Sequence, residues 1–273
     1  MALTFDPHPA KIVAPERAPR LLTTPEERCR LMADEGIEEI LILPFGWEIA
    51  RLSPEEFARD ILAGQLNARA VMVGSNFHFG FHQAGDTAGL TELGTEFGFA
   101  TEVIPAIVLR GRVISSSQIR RLVESGDVAS AGRLLERPYA LEGEVVSGRG
   151  IGSTKTVPTL NLKTPAEVLP ATGVYVTRTT DLASGSVWPS VTNVGHRPTF
   201  GRAELSIESH VLAALKGVEP LLIRVEFMRR LRGERRFPNP EALREQILYD
   251  IARARRFFRL VNRLVYSKGT PAL

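Results

Sequence analysis

The chain has 273 residues, 44% of them hydrophobic and 24% charged, and a formal net charge of +3. That is ordinary globular composition, enough for one or two cored domains and unlike a low-complexity chain. Cys29 is the only cysteine, which excludes an intrachain disulfide, and no apolar run approaches the roughly 20 residues that span a bilayer. The mild basicity suits anionic ligands such as nucleotides. The first residues lack a charged-then-apolar signal pattern, so a cytoplasmic location is expected.

The first half alternates strands and helices. Ala2–Phe5 reads as a short strand. Thr24-Pro25-Glu26-Glu27 opens a helix, with Thr24 as cap, Pro25 in the first turn and Glu27 completing a capping box. Ile40–Leu43 is a buried-strand candidate, Ser53-Pro54-Glu55-Glu56 repeats the helix-start signal, and Ala70–Val73 is another apolar strand that ends at Gly74. Short strand–helix units of this kind predict a parallel sheet with crossover helices.

Val73-Gly74-Ser75-Asn76-Phe77-His78-Phe79-Gly80 directly follows a strand, where ligand loops of parallel sheets sit. Its aromatics can flank a flat ring or plug the domain edge. Ile114-Ser115-Ser116-Ser117-Gln118-Ile119-Arg120 sets hydroxyls at a helix start, with Arg120 one turn in. That pattern fits anion binding at a helix N-terminus, and it fits plain N-capping equally well. Gln118–Arg137 reads as two short helices around Ser125-Gly126-Asp127.

The rhythm changes near Pro138, giving expected domains of 1–137, which include the helical linker, and 138–273. From Ala140 to Phe227 the pattern is short β-rich stretches: Leu141–Val146, Thr159–Leu162, Val174–Thr177, Val187–Val194, Leu205–Val211 and Leu221–Phe227. Gly, Pro and Asn punctuate them, which predicts an antiparallel barrel or sandwich. Asn239-Pro240-Glu241 starts a final helix, with Leu243, Ile247, Ile251, Ala254 and Phe258 along the face expected to pack on the β domain. Ser267–Leu273 is expected to fray.

Three segments of this second half carry chemistry-bearing residues. In Pro158-Thr159-Leu160-Asn161, Thr159 and Asn161 share one strand face and offer two neutral oxygens, the donor type Mg²⁺ takes alongside substrate phosphates. The same four residues also fit an ordinary strand start. Gly148-Arg149-Gly150-Ile151-Gly152-Ser153-Thr154-Lys155-Thr156 is rich in backbone donors and cations and can wrap phosphates. It is neither a Rossmann fingerprint nor a Walker A loop, and a plain hairpin is the competing reading. In Leu205–Val211, Glu208 and His210 share one face, while Ile207, Ser209 and Val211 share the other. Glu208 there can accept a proton from an attacking hydroxyl or can be a solvated strand residue, and His210 reads as a hydrogen-bonded structural histidine. Arg229, Arg230 and Arg232, with Arg253, Arg255, Arg256 and Arg259, stand among Glu226, Glu234, Glu241 and Glu245. That mixture reads as a salt-bridged, solvated face rather than a nucleic-acid surface.

Taken in order, these segments resemble one family, the bacterial bifunctional riboflavin kinase/FMN adenylyltransferases (FAD synthetases). Thr4-Phe5-Asp6-Pro7-His8-Pro9 is similar to the family's T-F-D/E-P-H-P. Val73–Gly80 is similar to V-G-x-N-F-x-F-G, and Ile114–Arg120 to I-S-S-T-x-I-R. Gly132–Leu141 resembles the segment that joins the two modules. Gly148 and Gly152 precede Pro158-Thr159-Leu160-Asn161 at the spacing of G-R/K-x-x-G-F-P-T-A-N. Asn193-Val194-Gly195-His196-Arg197-Pro198-Thr199-Phe200 resembles N-I/V-G-x-R-P-T-F/V, and Ile207-Glu208-Ser209-His210 resembles L/I/V-E-x-H.

The resemblance implies an α/β nucleotidyltransferase-like domain with a truncated, Rossmann-like parallel sheet. An antiparallel β-barrel riboflavin kinase domain with a C-terminal helix would follow it. It implies ATP, riboflavin and FMN as small-molecule ligands and Mg²⁺ as cofactor, with neither nucleic acid nor membrane as partner. By the same resemblance, Thr159 and Asn161 hold Mg-ATP, Glu208 is the base on the ribityl hydroxyl, and Gly148, Gly152 and Lys155 belong to the loop over the phosphates. Pro7, Pro9 and Asn76 line the flavin side of an adenylyltransferase pocket, and Ser116 and Arg120 contact ATP phosphates there. The sequence departs from the pattern at Ser153 and at Thr156-Val157, where the family carries Arg or Lys and Gly-Phe; Lys155 supplies a charge nearby. The family's G-x-F-D-G-x-H-x-G-H motif does not occur in these 273 residues. Little or no FAD formation by this polypeptide is therefore expected, with a misplaced start or a fragment favoured as the cause. A non-catalytic flavin- or nucleotide-binding module is the alternative.

Overall fold

β1 (Ala2–Asp6) pairs in parallel with β2 (Ile40–Pro44). The helix Pro25–Asp34 lies between them in sequence and starts where its side chains dictate. Thr24 Oγ1 accepts the Glu27 N–H at 3.2 Å, and Pro25 occupies the first turn, where a missing N–H costs nothing. Arg28 ties this helix to β1 by donating to Thr4 Oγ1 at 2.8 Å. The structure, a computed structural model, describes residues 1–109, 111–146, 158–199 and 202–266. These fall into two units, Met1–Ile114 and Ser115–Leu273.

Within the first unit, β3 (Ala70–Gly74) and β4 (Ala100–Ile104) form a second parallel pair. A reciprocal capping box starts the preceding helix. Ser53 Oγ accepts the Glu56 N–H, and Glu56 Oε2 accepts the Ser53 N–H at 2.7 Å. The turn Pro54–Glu56 then widens into a π-helix, Phe57–Gln65, whose Phe57, Ala58, Ile61 and Leu62 are buried. The helix Thr87–Phe97, capped by Asp86 and ended by Gly98 at φ +85°, precedes β4. Both ladders turn apolar residues (Leu3, Phe5 and Leu43; Val71 and Val73) onto one core around Phe79, Leu90 and Phe99. A short hairpin, β5 (Val108–Leu109) with β6 (Arg112–Val113), closes the unit.

The second unit begins with the helices Ser116–Glu124 and Val128–Leu135, joined through Ser125-Gly126-Asp127 as the sequence predicts. Gly126 has φ +82°, and a Cβ there would lie 2.9 Å from the Tyr175 hydroxyl, so the turn needs glycine twice over. Six strands follow: β7 (Tyr139–Val146), β8 (Thr159–Lys163), β9 (Gly173–Asp181), β10 (Val187–Thr199), β11 (Arg202–Val211) and β12 (Leu222–Gly233). They close a barrel in the order β10-β11-β8-β7-β12-β9, every pairing antiparallel. Of the two architectures the β-rich pattern allowed, the barrel is the one present.

Alternation sorts the strands into two faces. Leu141, Leu160, Leu162, Val194, Ile207, Ile223, Val225 and Phe227 are buried on one. On the other, directly opposed residues form ion pairs: Arg178 Nε to Glu226 Oε2 at 2.5 Å, and Arg224 to Glu142. The final helix, Pro240–Tyr266, covers Val174, Val176 and Val191 on this outer face with Ile251 and Ala254. The predicted stripe is buried only in part, because Leu243 and Ile247 remain 41% and 38% exposed. Among the described residues no helix is long and apolar enough to cross a membrane.

Candidate functional site

The residues singled out in the second half meet on the outer face of the barrel wall. On β8, Thr159 and Asn161 share a face because one residue separates them. On β11, Glu208 and His210 do the same. The β8–β11 register then sets Glu208 directly opposite Asn161, and His210 directly opposite Thr159. Directly opposed residues of an antiparallel pair hold their Cβ atoms about 4.5–5.5 Å apart, so four polar side chains form one compact patch.

The Thr159 hydroxyl and His210 Nδ1 are hydrogen-bonded at 2.9 Å. Burial holds the His210 pKa below its ordinary value, against the pull of the Glu208 carboxylate toward the charged form. His210 is therefore a bonded strand histidine, as its position predicts. Asn161 is buried, Thr159 and Glu208 are half-buried, and Pro158 at the strand's entry is exposed.

The third strand adds a residue the sequence reading did not assign to the site. Asn193 on β10 stands opposite Glu208 from the other side. The clue was available: Asn193 opens a recognisable segment, and alternation places it on one face with Gly195. A Cβ at Gly195 would lie 2.9 Å from Glu234 Oε1 and 3.1 Å from Asn193 Nδ2, so the bare backbone there lets a carboxylate and an amide approach. Gly148, Gly152 and Lys155, with the rest of the predicted phosphate loop, lie outside the described residues, as do Phe200 and the tail 267–273.

In the first unit, Pro7 and Pro9 are half-buried just after β1, with a cis bond between Asp6 and Pro7 and Pro9 opening a short helix, Pro9–Val13. Asn76 is exposed in the turn after β3. Of the two roles open to the neighbouring aromatics, Phe79 takes the structural one. It is buried in the core, stacked on Phe77 at 5.5 Å and tilted against Phe57 at 5.9 Å. Ser116 and Arg120 belong to the second unit. The helix is capped by Ser115, whose hydroxyl accepts the Gln118 N–H at 3.3 Å, which leaves Ser116 exposed as its first residue. Several of the clustered arginines are paired or stacked. Arg232 donates to Asp250 Oδ2 at 2.9 Å, and Arg230 donates to the Thr172 carbonyl at 2.6 Å over the Tyr175 ring.

Chemically, the barrel patch offers a hydroxyl and an amide carbonyl, both hard neutral oxygens, beside a carboxylate able to take a proton. Among the described residues there is no group of three His, Cys, Asp or Glu able to hold a metal ion. Neutral hydroxyl and carbonyl oxygens are donor types that a hard cation such as Mg²⁺ takes.

The comparisons with known proteins match two successive parts of the chain. A family model for riboflavin kinase matches residues 135–258, and one for FAD synthetase matches residues 1–118. The chain is 32% identical over 262 residues to the bifunctional riboflavin kinase/FMN adenylyltransferase of Escherichia coli (strain K12), spanning 96% of this chain and 83% of that protein. To the protein of the same description from Pseudomonas fluorescens it is 34% identical over 252 residues, 92% of this chain and 80% of that one. A solved structure described as a macrolide-efflux protein from Streptococcus pneumoniae superposes with a TM-score of 0.80 at 27% identity, covering 93% of this chain and 82% of that chain.

Proposed function

Because the chain belongs to the bifunctional riboflavin kinase/FMN adenylyltransferase family, which works in flavin cofactor biosynthesis, we propose that its barrel phosphorylates riboflavin to FMN at the β8–β11 patch. The kinase domain is taken as 138–273 and the adenylyltransferase-like domain as 1–137. The observation that carries the proposal is the register that opposes Glu208 to Asn161 and His210 to Thr159.

In this mechanism the Glu208 carboxylate accepts the proton of the ribityl 5′-hydroxyl as its oxygen attacks the γ-phosphorus of ATP in line, and ADP leaves. General base catalysis of this kind is worth about 10²–10⁴-fold. Thr159 Oγ1 and Asn161 Oδ1 fit as protein ligands for Mg²⁺, and Gly148, Gly152 and Lys155 are proposed as phosphate contacts. Mg²⁺, when bound, neutralises charge on the phosphate oxygens. The protein's contribution is positioning and a preformed polar surface.

In the first unit, Pro7, Pro9 and Asn76 are proposed as flavin contacts for adenylylation; Ser116 and Arg120, in the second unit, are proposed as contacts to ATP phosphates. Since these 273 residues contain no H-x-G-H segment, the polypeptide is proposed to yield FMN with little FAD. One assay tests this: riboflavin with Mg-ATP, reading FMN and FAD separately. FMN without FAD is expected. FAD accumulating alongside FMN would refute the second part, and riboflavin binding without ATP consumption would identify a non-catalytic flavin module instead.

A further inference from the structure

Five side-chain hydroxyls close a ring inside the barrel. Thr177 Oγ1 is 2.8 Å from Ser190 Oγ, Ser190 is 2.8 Å from Thr179 Oγ1, and Thr179 is 2.7 Å from Ser209 Oγ. Thr192 Oγ1 donates to Ser209 at 3.2 Å and lies 2.7 Å from Thr177, completing the circuit. All five residues are 0% exposed. Each hydroxyl has two ring neighbours, so each donates once and accepts once: Thr192 to Ser209 to Thr179 to Ser190 to Thr177 and back to Thr192. The proton count closes without water or ligand.

The ring joins three adjacent strands. Thr177 and Thr179 come from β9, Ser190 and Thr192 from β10, and Ser209 alone from β11. The same face of the wall carries Val194, Ile207, Val211 and Val225, with the buried Asp181 two residues on from Thr179. What a closed polar ring adds is discrimination between registers, since a buried hydroxyl without a partner is costly. If β11 slid by one residue, Glu208 or His210 would face the interior. A slip by two residues keeps the faces correct and would cost little in an all-apolar barrel. Here it would set Ile207 or Val211 against Thr179 and Thr192 and leave their hydroxyls short of a partner. Ser209 is also covalently between Glu208 and His210, the residues that β11 presents on the outer face.

We infer that the hydroxyl ring is a register lock on β9, β10 and β11, with Ser209 as the positioning residue that holds Glu208 opposite Asn193. The inference rests on the proposed role of Glu208 for its kinetic consequence, and on the ring geometry alone for its structural one.

The test uses the full chain with near-isosteric changes on the inner face of the wall, opposite the face that carries the patch. Thr177→Val and Thr192→Val remove a hydroxyl while keeping volume; Thr177→Ser and Thr192→Ser keep the hydroxyl and lose a methyl. Opening the ring is expected to lower kcat for FMN formation roughly tenfold, the scale of small misplacements of a reacting group, with KM for riboflavin and for ATP nearly unchanged. Amide hydrogen exchange along β11 is expected to quicken in the Val variants, and the Ser variants are expected to behave as the parent does. Combining Thr177→Val with Ser209→Ala should cost little more than either change alone, because a ring once open cannot be opened again. Ser190→Ala, a one-atom deletion, serves in place of any Val variant that fails to fold. Folded Val variants with parental kcat and parental β11 exchange, or Ser variants that fall as far as the Val variants, would overturn the inference. Should Glu208→Gln leave turnover intact, the role of Glu208 fails by itself, and β11 exchange still decides the register lock.

Discussion

Thr159 and His210 lie 51 residues apart in sequence, yet Thr159 Oγ1 and His210 Nδ1 are hydrogen-bonded at 2.9 Å. The contact fastens the entry of β8 to the end of β11, one pair along from Asn161 and Glu208. It couples the patch to the protonation of a half-buried imidazole.

That coupling gives a pH dependence of stability with a defined sign. The folded barrel holds the His210 pKa below its ordinary value of 6.5, chiefly through burial. The unfolded chain therefore takes up the proton first. The stability contribution is fully present above the unfolded value and is lost as pH falls below it toward the folded value. Thermal melts should show Tm dropping as pH falls from about 7 to 5, and the drop should be shallower in His210→Gln. Identical slopes in the two proteins would remove His210 from this account.

Thr159→Ala and Asn161→Ala each delete one neutral oxygen offered to the cation. A contact to a charged group contributes about 1.5–3 kcal/mol, so kcat/KM for Mg-ATP should fall about tenfold to a hundredfold. Titrating Mg²⁺ at fixed ATP should show a raised requirement in both variants, and chelation should abolish turnover in the parent. A Mg²⁺ requirement unchanged in both variants would count against the assignment of these two oxygens.

Gly126→Ala tests the turn that joins the two helices ahead of the barrel. It forces a left-handed backbone on a residue with a Cβ, at about 1–2 kcal/mol, and drives that Cβ to 2.9 Å from the Tyr175 hydroxyl and 3.0 Å from Arg230. A loss of about 2–3 kcal/mol, among the larger single-residue effects, should appear in denaturant melts of the full chain. A change within about 0.5 kcal/mol, the scatter of ordinary surface substitutions, would mean the turn relaxes freely.

Local rules carried the sequence reading a long way, and non-local ones bounded it. Alternation alone placed Glu208 with His210 and Thr159 with Asn161, because the two-residue period of a strand needs no knowledge of its partners. That Glu208 faces Asn161, and that Asn193 flanks Glu208, are consequences of barrel closure that no single segment encodes. Strands extend beyond their predicted ends where polar residues continue the ladder. β9 runs past Thr177 to Asp181 because Arg178 finds Glu226 across the ladder. β12 runs on to Gly233 through irregularities at Phe227/Arg229 and Arg230/Arg232, with Arg232 paired to Asp250. The helix Thr87–Phe97 and strand Ala100–Ile104 escaped notice, although Asp86 caps the one and Gly98 ends it. On the last helix, periodicity identifies the shared face of Leu243, Ile247, Ile251 and Ala254, but coverage depends on what lies beneath, and of these Ile251 and Ala254 are buried while Leu243 and Ile247 are exposed.

The most direct measurement is the rate of FMN formation by Glu208→Gln, a substitution that keeps shape and removes the base. A fall of at least about tenfold is expected, with Tm and Mg-ATP binding close to those of the parent. A folded Glu208→Gln protein that makes FMN at the parental rate would contradict the role of Glu208 as base.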